Sequence, residues 1–325
     1  MVRTPELYSR SNRRSIRRPH RIHDVRTDRA EPGGRSRGSR RFHGVDDREW
    51  TAVTFDIDGR ALAHTIRGEG PTLVLIHGIV HRQHAWDSVV DALVRHRRVV
   101  TVDLPGHGDS PELPTEDFDL GPWIVVELER FLEQVSVDGE KPHVAGNSLG
   151  GYFALELAAR GSVASATALS PAGFFRGHWD QTRALLVFRL LRALSRLIGP
   201  IAPAVMKSVV GRTIANSVFY AKPWRVPAAT ATIDASSITT NRAIDAAGNA
   251  VPRFSVPVDE SVPVTVAWGR RDWVLPVYQA PLVQQTFPQA DVTTYAGLGH
   301  VPMTDDPELV ASILLNGSRA VAQQA

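Results

Sequence analysis

The chain has 325 residues, 43% of them apolar and 22% charged, which is the composition of a folded globular protein. It has no cysteine, so disulfides, zinc–thiolate sites and cysteine nucleophiles are excluded. The net charge of +3 comes from residues 1–50, which hold 14 arginines against seven carboxylates, whereas the other 275 residues carry 23 basic and 27 acidic groups. Because the main part of the chain has no basic excess, we expect no nucleic acid as a partner.

Residues 1–49 predict a disordered, arginine-rich leader, because they combine Arg-Arg pairs, serines and glycines with few large apolar residues. Its role stays open between a polyanion-binding arm and an inert extension. No apolar segment of a secretory signal follows the arginine pairs, so we expect a cytoplasmic protein. The most apolar stretch, residues 184–205, is interrupted by three arginines and two prolines, so we expect no stable membrane insertion.

From residue 51 onward, strand patterns alternate with helical patterns. Residues 51–58 and 61–67 alternate in polarity around Gly59, which indicates an antiparallel hairpin. Further strand patterns, mostly apolar runs typical of a buried parallel sheet, occupy residues 71–76, 98–103, 143–147, 164–169, 262–268 and 291–295. Helical spacing marks residues 86–95, 123–135, 149–160 and 307–322, and another helix is expected between the last two strands. The alternation predicts an α/β fold with a mostly parallel, doubly wound sheet and helices on both faces.

About ninety residues, 174–262, separate two of these strands, where a crossover between parallel strands needs about a dozen. The interval contains helical patterns at residues 181–198 and 204–218 and then a stretch rich in Pro, Ala, Thr and Ser. We therefore predict that 174–262 is a helical cap, or lid, inserted into a core made of residues 50–173 and 263–325. Because open α/β sheets bind ligands at the carboxyl ends of their strands, we expect the cap at that edge. A surface elaboration away from the edge is the alternative.

The segment Gly146-Asn147-Ser148-Leu149-Gly150 lies between a predicted strand and a predicted helix and matches the G-x-S-x-G nucleophile elbow. In such a turn the serine has a strained backbone and presents its hydroxyl above the sheet, and the flanking glycines avoid collisions between Cβ atoms. The N-terminus of the following helix directs N–H groups at a substrate oxyanion. The pattern predicts Ser148 as a nucleophile, and an ordinary strand–loop–helix corner is the alternative.

Two further residues complete a candidate catalytic triad. A serine hydroxyl needs a base to take its proton, and a carboxylate must hold that base in one tautomer. Asp272 follows the strand that ends at residue 268, and His300 follows the strand that ends at residue 295. Both side chains are then expected at the carboxyl edge of the sheet, in the order Ser, acid, His. We predict that His300 is the base and that Asp272 orients it.

An oxyanion hole needs two N–H donors about 3 Å from the developing negative charge. The residue after the nucleophile supplies the first donor, so we predict the backbone N–H of Leu149. The second is expected from the loop after the strand at residues 71–76, and we predict the backbone N–H of Ile79. We expect the side chain of His77 to brace this loop beside the substrate pocket and to take no part in the chemistry.

These motifs make the chain similar to the α/β-hydrolase superfamily from about residue 51 to its end. The resemblance is carried by Leu75-Ile76-His77-Gly78, Asp103-Leu104-Pro105-Gly106-His107-Gly108-Asp109-Ser110, Gly146-Asn147-Ser148-Leu149-Gly150, Gly269-Arg270-Arg271-Asp272 and Gly299-His300. It implies the α/β-hydrolase fold with Ser148 as nucleophile, Asp272 as acid and His300 as base. It also implies that the segment 103–110 is a turn device without a catalytic role, and that neither a metal nor an organic cofactor is required.

The substrate pocket is the least defined part of the prediction. Trp86, Trp179 and Trp273 flank the expected mouth, where they are candidate pocket residues, and ordinary packing is the alternative for all three. The first predicted cap helix has an apolar stripe (Leu185, Phe188, Leu191, Leu194) and a second face with arginines (Arg189, Arg192, Arg196). It either lines an apolar acyl pocket with an arginine for a substrate carboxylate, or packs on its neighbours with solvated arginines.

The resemblance implies a serine hydrolase that cleaves an ester-like bond of a small, largely apolar substrate through an acyl-enzyme. A serine nucleophile argues against the branches of the superfamily that use aspartate, the haloalkane dehalogenases and soluble epoxide hydrolases. Carboxylesters, lactones and carbon–carbon bonds of ketones stay open as substrates. An acyltransferase or a cofactor-free, haloperoxidase-like perhydrolase with the same triad is the first alternative. A non-catalytic ligand-binding protein ranks third, because such proteins usually lack one member of the triad.

Overall fold

A computed structural model describes residues 62–113, 120–241, 244, 254–255 and 257–319. The predicted leader and the first arm of the predicted hairpin lie outside these residues. The strands are β1 (His64–Arg67), β2 (Thr72–Ile76), β3 (Arg98–Val102), β4 (His143–Asn147), β5 (Ser165–Leu169), β6 (Val264–Gly269) and β7 (Asp291–Tyr295). They form one sheet in the order β1-β3-β2-β4-β5-β6-β7, in which β1 is antiparallel to β3 and all other neighbours are parallel.

The helices follow the strands in alternation, as the sequence predicts. They are α1 (Asp87–Leu93), α2 (Leu120–Val135), α3 (Leu149–Ala159), α4 (His178–Ile198), α5 (Ala202–Lys207), α6 (Val209–Asn216), α7 (Ala228–Thr240), α8 (Val283–Thr286), α9 (Pro302–Asp305) and α10 (Pro307–Gly317). Strand β3 lies on one side of β2 and β4 lies on the other, so the connections from β2 to β3 and from β3 to β4 run in opposite directions across the sheet. Right-handed crossovers therefore put α1 on one face of the sheet and α2 on the other. Helix α1 packs against α10 and α2 packs against α3, which gives the sheet a helical layer on each face.

The return of the chain at β2 makes the gap between β2 and β4 a topological switch point. Open α/β sheets bind ligands in the crevice at such a point, beyond the carboxyl ends of the strands. The loop after β2 and the turn between β4 and α3 both lie at this position. The candidate oxyanion loop and the candidate nucleophile are therefore neighbours because of the topology.

Between β5 and β6 the described chain contains α4 to α7, and residues 174–262 are called the insertion below. The predicted helix at residues 204–218 is broken at Ser208, whose side chain accepts the N–H of Gly211 and caps α6. Helix α7 lies in the stretch rich in Pro, Ala, Thr and Ser. The helix expected between β6 and β7 is a 3₁₀ turn (Val277–Leu282) followed by the single turn of α8. Pro281 inside this turn has no N–H to donate, which explains the difference.

Candidate active site

The turn between β4 and α3 has the backbone of a nucleophile elbow. Ser148 has φ 56° and ψ −113°, a left-handed conformation that costs a non-glycine residue about 1–3 kcal/mol. A Cβ atom on Gly146 would lie 2.0 Å from the carbonyl oxygen of Gly150, and one on Gly150 would lie 2.1 Å from that of Ile76. Only glycine fits at both positions. The turn therefore requires its two glycines for steric reasons, and it leaves Ser148 at the carboxyl edge of the sheet.

Asn147 ties this turn to the strand and the loop beside it. Its buried Nδ2 donates to the carbonyl oxygens of Leu169 (3.0 Å) and His300 (2.8 Å). The N–H of Ser148 also donates to Leu169 (3.0 Å). Because the backbone of His300 is bonded to the residue before Ser148, the two candidate catalytic residues lie on adjoining segments. The elbow pattern leaves this position unspecified, so the sequence gives no reason to select Asn147.

Asp272 and His300 form a buried hydrogen-bonded pair. Nδ1 of His300 donates to Oδ2 of Asp272 over 2.7 Å, and the two residues are only 2% and 5% exposed. Oδ1 of Asp272 accepts the N–H groups of Val274 (2.9 Å) and Leu275 (2.7 Å). With its proton on Nδ1, His300 has an unprotonated Nε2 available to accept a proton. Among the described residues no hydrogen bond joins this nitrogen to Oγ of Ser148, and such contacts often tighten only when substrate is bound.

Asp305, which the sequence does not single out, holds the histidine loop against the insertion. Its buried carboxylate accepts the N–H groups of Gly299 (2.8 Å), Ala221 (3.0 Å) and Lys222 (2.6 Å). Burial raises the pKa of Asp305, and these backbone donors oppose the rise. The residue before His300 is thereby fixed to a segment more than 75 residues earlier in the chain.

The two candidate oxyanion donors lie on either side of the switch point. Leu149 is the first residue of α3, so its N–H has no acceptor within the helix. A Cβ atom on Gly78 would lie 3.3 Å from Cβ of Ser148, so the loop that carries Ile79 passes directly beside the candidate nucleophile. The carbonyl oxygen of Ile79 lies 2.8 Å from Nε2 of His107 and accepts Nδ2 of Asn241 over 2.6 Å. Asn241 belongs to the insertion, which therefore contacts the candidate oxyanion loop.

His77 is buried beneath the same loop, and both of its ring nitrogens contact backbone. Nδ1 donates to the carbonyl oxygen of Gly78 (2.8 Å) and Nε2 accepts the N–H of Leu104 (3.0 Å). Burial and the neighbouring His107 hold the pKa of His77 well below its usual value, so the ring is neutral. Asp103 accepts the N–H groups of residues 83 and 109, which are the contacts of a turn device.

The tryptophans proposed for the pocket differ in burial. Trp86 is fully buried in the core, whereas Trp179 and Trp273 are 83% and 68% exposed. Of the three arginines that the sequence places on the second face of α4 (Arg189, Arg192 and Arg196), Arg192 is buried and donates to the carbonyl oxygens of Ile238 (2.9 Å) and Asn241. Packing therefore accounts for Trp86 and Arg192.

A second polar cluster, here called the His81 cluster, joins the loop after β2 to the insertion. Nε2 of His84 lies 2.9 Å from Oδ1 of Asp234, and Nε2 of His81 lies 3.6 Å from Oδ2 of Asp234. The hydroxyl of Tyr220 lies 3.4 Å from Nε2 of His81. Burial lowers the pKa of His81 to about 4 although the Asp234 carboxylate opposes the shift, and burial raises the pKa of Tyr220. The cluster begins two residues after Ile79 and had no signal in the sequence.

The described residues contain neither a metal-binding cluster nor a membrane-spanning helix. No cluster of three or more His, Asp or Glu side chains is arranged to hold a metal ion among them. None of the helices in these ranges combines the length and apolar character needed to cross a bilayer.

Comparisons with known proteins place these features in context. The family model described as "Alpha/beta hydrolase family" matches residues 73–313. An uncharacterised protein of Mycobacterium tuberculosis (strain H37Rv) is 28% identical over 267 residues, which cover 77% of this chain and 76% of the relative. A pimeloyl-acyl-carrier-protein methyl ester esterase of Nitrosomonas europaea is 27% identical over 260 residues, covering 75% and 94%. The solved structure of a membrane phospholipase A shares the fold, with a TM-score of 0.64 and 24% identity over 82% of this chain and 86% of that one.

Proposed function

The chain belongs to the alpha/beta hydrolase family, and we propose that it is a serine hydrolase that cleaves carboxylic esters with Ser148, His300 and Asp272. The observation that carries this proposal is the buried 2.7 Å bond between His300 and Asp272, which leaves Nε2 as the proton acceptor of the ring. The strained backbone of Ser148 supports it, because such strain is found at nucleophile elbows. The esterase among the relatives favours an ester over a lactone or a carbon–carbon bond.

In the proposed mechanism, Oγ of Ser148 attacks the ester carbonyl while Nε2 of His300 takes the hydroxyl proton. The N–H groups of Leu149 and Ile79 stabilise the oxyanion, and the imidazolium is stabilised by Asp272. His300 then returns the proton to the leaving alcohol as the carbon–oxygen bond breaks, which leaves an acyl-serine. Water attacks the acyl group while His300 takes its proton, and His300 then returns that proton to Oγ of Ser148 as the bond between the acyl carbon and Oγ breaks and the carboxylic acid leaves. These residues supply the nucleophile, the base and the oxyanion donors, so we propose that no cofactor is needed.

The insertion is proposed to act as a cap that encloses a small, largely apolar substrate. Three sets of hydrogen bonds support this role, because each joins the insertion to a segment of the chain that follows β2 or β7. They join Asn241 to Ile79, Ala221 and Lys222 to Asp305, and His84 to Asp234. We also propose a cytoplasmic location.

Labelling with a fluorophosphonate probe tests the nucleophile. We expect the native protein to be labelled and Ser148→Ala to be unlabelled, because only an activated serine reacts with the probe. Ser312→Ala removes an exposed hydroxyl of α10 and serves as the matched control, which should label like the native protein. Equal labelling of Ser148→Ala would overturn the assignment. Product analysis with a competing alcohol present then separates hydrolysis from acyl transfer. A series of p-nitrophenyl esters of increasing chain length shows the longest acyl chain that the pocket accepts.

A further inference from the structure

The insertion carries most of the exposed large apolar side chains in the described part of the chain. Thirteen such side chains are exposed there, and ten of them lie between residues 179 and 224. Soluble proteins rarely expose a concentrated apolar surface of this kind unless it contacts a partner or a membrane.

The exposed face of α4 is the centre of this surface. Leu186, Leu190 and Leu197 follow one another at helical spacing and are 62%, 58% and 79% exposed. Ile201, in the 3₁₀ turn that follows α4, is 58% exposed. The opposite side of α4 packs against α7. A surface helix normally presents polar residues to water, whereas α4 has apolar residues on both sides. We call Leu186, Leu190, Leu197 and Ile201 the leucine face.

The insertion is basic, and two of its arginines lie along one side of the leucine face. Between residues 174 and 241 the chain has nine basic and two acidic residues, although residues 51–325 as a whole are acidic. Arg189 and Arg196, both exposed, border a cleft of about 390 Å³ that also includes Ala193. Helical geometry puts these three positions directly beside the leucine face. Aliphatic side chains flanked by arginines are the combination that binds the interface of an anionic bilayer.

We propose that this face of the insertion docks on the surface of an anionic phospholipid bilayer. The leucine face enters the boundary between headgroups and acyl chains, and Arg189 and Arg196 meet lipid phosphates. A second copy of the chain is disfavoured as the partner of this face, because two basic insertions would repel each other. Docking does not depend on the chemistry of Ser148. It goes beyond the proposed esterase activity by giving the enzyme access to substrates dissolved in the membrane.

Co-sedimentation with vesicles tests docking on the full chain. Vesicles of phosphatidylcholine with phosphatidylglycerol should bind the protein, and vesicles of phosphatidylcholine alone should bind it much less. The triple variant Leu186→Gln, Leu190→Gln, Leu197→Gln changes only exposed side chains and should bind at least about tenfold more weakly. Arg189→Gln with Arg196→Gln should weaken binding about 25-fold, since each basic residue near such a surface contributes about fivefold.

Two controls make the result specific. Val137→Gln removes an exposed apolar side chain outside the insertion and should bind like the native protein. The arginine-rich residues 1–49 are present in every variant. If the triple leucine variant and the double arginine variant both bind like the native protein, we assign the binding to residues 1–49, and the proposal is overturned. Failure of the native protein to bind, or a dimer in solution that the triple leucine variant abolishes, overturns it as well. Ser148→Ala should bind normally, so loss of the esterase assignment and loss of docking are separate outcomes.

Discussion

Replacing Asp272 with asparagine would reverse one hydrogen bond of the proposed triad and leave the shape of the side chain unchanged. Oδ1 of Asp272 accepts the N–H groups of Val274 and Leu275, and Oδ2 accepts Nδ1 of His300. An asparagine amide must direct its oxygen at the two backbone donors, so its NH₂ group faces His300. His300 then accepts at Nδ1 and carries its proton on Nε2. In that tautomer it cannot take the proton of Ser148.

The expected loss in kcat is about 10⁴-fold, the usual effect when an amide replaces a triad carboxylate. It corresponds to about 5 kcal/mol of transition-state stabilisation. We expect KM to change little, because Asp272 lies behind the imidazole. One charge-assisted hydrogen bond of the folded state becomes a neutral one, which costs about 1 kcal/mol, so the variant should stay folded. Steady-state hydrolysis of a p-nitrophenyl ester measures kcat and KM, and urea unfolding checks the stability.

Asp291→Asn provides the matched control, because it removes an exposed carboxylate at the start of β7. It should keep the native rate. If folded Asp272→Asn retained more than about a tenth of the native kcat, the tautomer of His300 would not depend on Asp272. The proposed role of the pair would then be wrong even though the hydrogen bond exists.

Three further predictions concern the elbow, the oxyanion loop and the His81 cluster. Gly150→Ala puts a Cβ atom 2.1 Å from a β2 carbonyl oxygen, so we expect urea unfolding to show a destabilisation of at least about 3 kcal/mol. Gly199→Ala is the control, because its Cβ atom would meet nothing within 4 Å and should not lower the free energy of unfolding. Equal stability of the two variants would contradict the steric argument. Asn241→Ala removes one of the two contacts that hold the carbonyl oxygen of Ile79, and with it part of the support of the proposed oxyanion loop. We therefore expect kcat to fall about tenfold with a smaller change in KM. A change in KM alone would indicate that Asn241 acts in substrate binding. The pKa of His81 is about 4 in the folded chain, so only the unfolded chain gains its proton as the pH falls from 6.5 to 4. Stability should therefore drop by about 2 kcal/mol from this residue between pH 7 and pH 5, and urea titrations of His81→Gln should show a drop smaller by that amount.

The strands could be predicted closely because each is a short apolar run between turn residues. Strands β4 and β7 have the predicted bounds, and the other strands of the parallel sheet differ by one or two residues. Two helical predictions were less accurate for local reasons. The helix expected between β6 and β7 is a 3₁₀ turn, because Pro281 lacks the N–H that an α-helix would use there. The continuous helix predicted at residues 204–218 is two helices, because Ser208 caps the second one.

The candidate catalytic residues follow from chain order and topology, because each comes directly after a strand of a parallel sheet. Their supports have no such pattern. Asp305 bonds to a residue 84 positions away, and Asn241 bonds to one 162 positions away. These contacts depend on how the insertion sits on the sheet, and that geometry leaves no periodicity in the sequence. In the sequence, Asp305 and Asn241 therefore cannot be told from ordinary loop residues.

The contacts of the insertion connect it to the proposed catalytic groups as well as to the proposed pocket. Asp305 fixes the loop of His300 to residues 221–222 of the insertion, and Asn241 of the insertion fixes the carbonyl group of Ile79. Catalytic groups must be held within a fraction of an ångström of their productive positions. The insertion therefore contacts both the proposed base loop and the proposed oxyanion loop. A shift of the insertion, including one caused by docking on a surface, would act on the rate of the reaction as well as on substrate entry.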